Sequence, residues 1–99
     1  MKHQIKVQVY FLTENQGGRV NPFGSGFNPK IKFSGSIEEF FTELYLNEDD
    51  VIFPGDNVKL ELVVKEVSDC YLYRGGSFDL MEGNHKIAEG SLLFVKVLD

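Results

Sequence analysis

The chain has 99 residues and a formal charge of −5, from fifteen Asp and Glu against ten Lys and Arg. That length suits one domain with one small core and leaves little room for a GTPase or kinase fold with its own cofactor site. Apolar residues at 42%, with nine Phe, mark a folded globular domain rather than a disordered one. The acidic balance gives no electrostatic footprint for generic nucleic-acid or anionic-membrane binding. A single cysteine, Cys70, cannot form an internal disulfide and is too few for a Cys-based zinc site, so a reducing compartment is expected, with the cytoplasm as the default. No apolar run has the length of a signal peptide or a bilayer span.

In chain order, Ile5, Val7, Val9 and Phe11 alternate with Lys6, Gln8 and Tyr10, which predicts a half-buried strand over residues 5–12. It ends at Thr13-Glu14-Asn15-Gln16-Gly17-Gly18, where Asn and two Gly suit the positive φ of a tight turn or bulge. Residues 21–29 hold too much Gly and Pro for a regular element, and their Phe side chains are expected to anchor the loop. Short strands are predicted at residues 30–33 and 51–53, the second ended by the tight turn Pro54-Gly55-Asp56-Asn57.

Between these two strands, Ile37, Phe40, Phe41 and Leu44 sit at helical spacing, and Ser36 with Glu39 has the form of a capping box. Residues 41–46 also alternate. The expectation is a helical turn over 37–40 running into a strand over 42–46.

Val58, Leu60, Leu62 and Val64 make the cleanest alternation in the chain. Strands follow at 71–73 and 78–81, separated by Arg74-Gly75-Gly76. After the turn Glu82-Gly83-Asn84 comes a last strand over 86–98, with Leu93, Val95 and Val97 on one face and Leu92 and Phe94 on the other. Seven or so short strands at intervals of about eight to twelve residues predict an all-β sandwich or barrel. Closure into a barrel would remove exposed edges.

Three co-linear blocks carry a family resemblance. Gly17-Gly18-Arg19 with Pro22-Phe23, Gly26-Phe27 and Pro29, then Val51-Ile52-Phe53-Pro54-Gly55-Asp56-Asn57-Val58-Lys59-Leu60, then Phe78, Glu82-Gly83, Ile87, Gly90 and Val95-Lys96-Val97-Leu98 resemble the C-terminal, third domain of elongation factor Tu. The resemblance spans residues 7–98 and implies a closed six-stranded antiparallel β-barrel. In that family this domain packs on the GTPase domain and contacts the T stem of aminoacyl-tRNA. No phosphate-cradling Gly-x-x-x-x-Gly-Lys-Ser/Thr loop is found in the sequence. The expectation is therefore a single third-domain-like barrel over residues 1–99, non-catalytic, monomeric, with no nucleotide or other cofactor, acting as a translation-associated binding module.

By resemblance, Arg19 stands where the family has a T-stem-contacting Arg, and Glu82 and Gly83 stand where its chain passes close to the RNA backbone. Other positions depart. Ser34-Gly35-Ser36-Ile37-Glu38-Glu39-Phe40 replaces a polar stretch with an Arg and several Thr. Met81 and Ser77 replace arginines, and Ala88 replaces a Gly. Between Lys32 and Lys59 the sequence has no cation but seven carboxylates, leaving the rest of the molecule at +2. Such charge opposes the counterion release from which phosphate binding draws its affinity. The alternative is a protein-interaction module in which Glu38, Glu39 and Glu43 steer a basic partner and Phe40, Phe41 and Tyr45 anchor it.

Each candidate has a plainer reading. Arg19 is either an RNA or partner contact or a turn arginine bonded to loop carbonyls and carboxylates. Glu48-Asp49-Asp50 lacks the spacing of a calcium loop and reads as a solvated loop. His3 and His85 have no partner at metal-ligand spacing and are expected at the surface. Cys70 reads as a buried or semi-buried thiol. Gly24-Ser25-Gly26 has the wrong spacing for a nucleophile elbow.

Overall fold

Alternation of apolar and polar residues gives each strand one inward face, and six such strands close on themselves. In the computed structural model, which describes residues 2–24, 26–46, 49–65 and 71–98, the strands are β1 (Lys2–Phe11), β2 (Lys30–Phe33), β3 (Phe40–Tyr45), β4 (Asn57–Lys65), β5 (Ser77–Glu82) and β6 (His85–Leu98). They form an all-β closed antiparallel barrel in the order β1-β4-β3-β2-β5-β6. The readings placed on Ser25, Glu48 and Cys70 fall outside the described residues.

The interior is lined by the predicted alternating sets: Ile5, Val7, Val9 and Phe11 from β1, Leu60, Leu62 and Val64 from β4, all buried. Each such side chain contributes about 1.5–3 kcal/mol when fully buried, set against the chain entropy lost on folding. Two aromatic clusters extend this core. Phe23 sits 4.9 Å from Phe11 and 4.7 Å from Phe27, while Phe33 lies about 6 Å from each of Phe40, Tyr71 and Phe78. The Phe side chains of the Gly- and Pro-rich loop do anchor it: Phe23 also exchanges two 2.8 Å backbone hydrogen bonds with Ile52.

Several local expectations are corrected. Residues 37–40 are not a helical turn. The Ser36 hydroxyl accepts the Glu38 N–H at 3.0 Å and donates to the Glu38 carbonyl at 3.1 Å, so the chemistry that suggested a helix cap serves a serine turn instead. Ile37 is 96% exposed and supplies no helical apolar face. β3 consequently starts at Phe40 rather than Thr42. Residues 51–53 make only the isolated bridge at Ile52. Residues 71–73 are no strand. Instead the Gly75-Gly76 turn joins β6, its Gly75 N–H donating to Leu92 O at 2.7 Å and Leu92 N–H donating to Gly76 O at 2.8 Å. His3 is buried, at 2% exposed, because β1 begins at Lys2 and His3 takes the next inward position of the alternation. Of the two glycines before Arg19 only Gly17 has positive φ, at 87°. Gly18 is needed for a close approach: a β-carbon there would lie 2.2 Å from the Leu12 carbonyl oxygen.

β6 also breaks period two. Leu80 faces Ala88 but Met81 faces Lys86, which makes Ile87 an extra residue, and Val7 faces Leu92 while Lys6 faces Phe94, which makes Leu93 another. Each bulge shifts the face sequence by one. Leu92 and Val95 therefore both point inward, opposite Val7 and Ile5, and Phe94 points out.

Candidate nucleic-acid or partner interface

Arg19 leaves the first loop directly after the Gly17-Gly18 turn and meets the β5–β6 hairpin. Its Nη1 donates to Glu82 Oε2 at 3.1 Å. The guanidinium carbon lies 4.7 Å from the Phe23 ring centre and 5.0 Å from that of Phe27. Such stacking favours a cation over the negative face of the ring and restricts where the guanidinium can go. The side chain retains 29% exposure, so one edge still faces water.

The hairpin that carries Glu82 turns through Gly83-Asn84, with Glu82 opposite His85 and Gly83 at φ 60°. Its far side is tied back to the same loop, since His85 Nε2 is hydrogen bonded to the Gly17 carbonyl. Arg19, Glu82 and Gly83 are thus brought together, and Arg19 bonds a carboxylate, as its plainer reading expects. His85 is exposed, in line with the sequence reading. Its tether to Gly17 had no signal in the spacing of residues, because loop closure over more than sixty positions is not periodic, and the aromatic platform under Arg19 had none because the loop that carries it is irregular.

Lys86, the next cation along the hairpin, is already engaged by Glu89 at 2.8 Å and Asp79 at 3.3 Å. The hydrogen bond its ammonium donates to Glu89 is the main cause that holds it above the ordinary lysine range, with burial opposing it.

The acidic segment is divided by the fold. Glu38 and Glu39 are exposed, and so are Asp49 and Asp50, as a solvated loop requires. Asp56 Oδ2 instead accepts the Phe53 N–H at 2.9 Å and shapes the turn before β4. Among the aromatics, Phe41 is 72% exposed beneath the Lys30 ammonium, at 4.9 Å, and Tyr45 is exposed, whereas Phe40 is packed against the core and is corrected from an exposed anchor to a partly buried one. Lys30 faces Phe41 on one side and Met81 on the other. One outward row therefore links the Glu82 hairpin to Phe41, one strand apart.

Glu43 is paired with Lys65, whose Nζ lies 2.9 Å from Oε1. The hydrogen bond from Lys65, then its charge, holds the Glu43 carboxyl below the ordinary glutamate range. A depressed carboxylate supports the fold at neutral pH, and that support fades as pH falls through the folded-state value. In a carboxyl-detected NMR titration, Glu43 is expected to titrate below the ordinary glutamate range, and Lys65→Met should move it back toward that range. An unchanged Glu43 midpoint in that variant would show that Lys65 is not the cause.

Among the described residues no cluster of three His, Cys, Asp or Glu could hold a metal ion, and no helix is long and apolar enough to cross a membrane. What the hairpin and loop offer is a stacked, partly open guanidinium beside a carboxylate and a glycine at positive φ. Residues 1–96 match the family model described as the elongation factor Tu C-terminal domain, and the chain belongs to that family of translation-factor β-barrel domains.

Proposed function

We propose that this barrel is a non-catalytic binding module of the translation apparatus, without GTPase activity, that contacts tRNA or a translation factor through Arg19, Glu82 and Gly83. The observation that carries the reading is the placement of Arg19, stacked on Phe23 and Phe27 with one edge open to solvent, in a chain of the elongation factor Tu C-terminal domain family. Glu82 sets the terms of any RNA contact. A phosphate must compete with the carboxylate 3.1 Å from Nη1, and the neighbouring Lys86 is already engaged, so few cations are available to displace counterions.

RNA affinity is therefore expected to be weak, with a shallow salt slope because few phosphates are neutralised. Fluorescence anisotropy with labelled tRNA should show binding at low ionic strength that Arg19→Ala removes and Glu82→Gln strengthens. Isothermal calorimetry with GTP and GDP should show no binding. Tight tRNA binding at high salt, or binding indifferent to both substitutions, would refute the Arg19 contact.

A second reading has one specific observation in its favour: Phe41 is largely exposed on the strand that also bears Glu43 and Tyr45, just after the exposed Glu38 and Glu39. There the domain would be an acidic protein-interaction module unrelated to RNA. Charge reversal of Glu38, Glu39 and Glu43 to Lys should then slow capture of a basic partner while leaving the tRNA titration no weaker. The tRNA and charge-reversal arms thus separate the two readings.

A further inference from the structure

The half of the barrel away from Arg19, formed by β3, β4, β1 and β6, carries a different kind of surface. One outward row crosses all four strands: Tyr45 faces Glu61, Glu61 faces Lys6, and Lys6 faces Phe94. Both ends are exposed aromatics, Tyr45 at 52% and Phe94 at 57%. The centre is a closed polar unit, with Lys6 Nζ 3.5 Å from Glu61 Oε1 and Gln4 Nε2 donating to Glu61 Oε2 at 3.1 Å.

The β6 bulge creates the relief. By adding Leu93 to the strand it turns Phe94 outward and leaves Leu93 itself exposed beside it. Two shallow hollows adjoin along the row. One, of about 530 Å³, has Leu46, Leu60 and Leu93 as its apolar wall with Lys59 alongside, and the other, of about 520 Å³, lies between Phe94 and Lys96. Bulges that re-aim side chains are recurrent at functional surfaces.

The sign of the charge identifies the occupant. Glu61 is already neutralised by Lys6, while Lys59 and Lys96 form no ion pair among the described residues. Three lysines, Lys6, Lys59 and Lys96, line the hollows against two carboxylates, Asp50 and Glu61, a slight positive excess on a chain of net charge −5. Their walls are leucines as well as aromatics. Those leucine walls offer a seat to apolar peptide side chains and give a phosphate backbone nothing to bond.

We propose that this groove binds an acidic peptide segment of a partner protein, with carboxylates toward Lys59 and Lys96 and one apolar side chain seated by Tyr45 and Leu93 and another by Phe94. Hydrophobic anchors supply the buried area of such contacts, and charge complementarity sets sign preference and encounter rate.

The test uses three labelled probes against the purified domain: a peptide alternating Glu with Leu and Phe, its counterpart alternating Lys with Leu and Phe, and an oligouridylate. The acidic peptide is expected to bind, more weakly as salt rises, and to move the backbone amide resonances of Lys6, Tyr45, Lys59, Leu93 and Phe94. The double variant K59E/K96E, and separately Phe94→Ser, should each weaken it at least tenfold while circular dichroism stays unchanged, and Arg19→Ala should leave it alone. Equal or tighter binding of the basic peptide or the oligouridylate overturns the proposal, as does failure of the acidic peptide to bind or to respond to the variants. Self-association in sedimentation that K59E/K96E abolishes overturns it in favour of a second copy of the chain.

Discussion

Replacing Gly90 by Ala is expected to lower the stability of the barrel by about 1–3 kcal/mol, and replacing it by Val to cost more. Gly90 sits in β6 between Val9 of β1 and Phe78 of β5. A β-carbon there would lie 2.3 Å from the Gln8 carbonyl oxygen and 2.9 Å from the Phe78 ring. The ring could rotate aside, but the carbonyl belongs to the longest ladder of the barrel. Relief therefore demands that β1 and β6 move apart where the two strands are paired. Urea unfolding should show a lower midpoint at unchanged slope, which assigns the loss to the native state. Gly24→Ala is the control, since nothing lies within 4 Å of that position and its φ is ordinary, so the change should stay within about 0.5 kcal/mol. If the two variants unfold alike, the β1–β6 ladder yields more easily than its geometry implies.

Gly90 also marks where local sequence reasoning stops. Strand patterns were legible because inward positions repeat every second residue: Ile5 through Phe11, and Leu60 through Val64, lie inside as read. The errors share one cause, which is that short-range patterns cannot see what a segment meets across the barrel. Ser36 and Glu39 have cap spacing, yet Phe40 is needed beside Phe33 and Tyr71, so the chain extends there. Alternation puts Leu93 with Val95 on one face and Leu92 with Phe94 on the other, whereas a bulge set by the β1 register sends Leu92 and Val95 inward and Phe94 out. Ile52 looked like a strand centre but has a single bridging partner in a loop.

The candidate site was legible in a different way. Arg19, Glu82 and Gly83 were named from resemblance, and the fold puts the first two within hydrogen-bond distance although sixty-three positions separate them. Phe23 and Phe27 were read as loop anchors, and they are. Their second role, as the surface on which the guanidinium lies, follows from the bend at Gly17-Gly18, whose direction depends on contacts with Leu12 and His85. The acidic run was legible as charge but not as surface, because Glu43 and Asp56 are drawn into an ion pair and a turn.

Phe23→Ala should produce the largest loss of any single substitution in the loop, and it joins core to site. Phe23 is 1% exposed, lies between the Phe11 and Phe27 rings, and carries Arg19 on its face. Truncating a buried Phe costs about 3–5 kcal/mol. For a domain of this size that lowers the unfolding midpoint by roughly 15 °C or more, at about 4–8 °C per kcal/mol. Arg19→Ala, which removes a partly exposed ion pair and a stacked cation, should cost only about 1 kcal/mol. Because the two side chains touch, their effects should not add, and the double variant should be less destabilised than the sum of the two. Phe23→Leu then separates folding from positioning. It keeps most of the buried volume but removes the ring face, so it should retain the barrel's circular dichroism spectrum while weakening any Arg19-dependent tRNA affinity in the anisotropy assay. If Phe23→Leu binds tRNA as the unsubstituted protein does, the aromatic surface stabilises the loop and takes no part in placing the guanidinium.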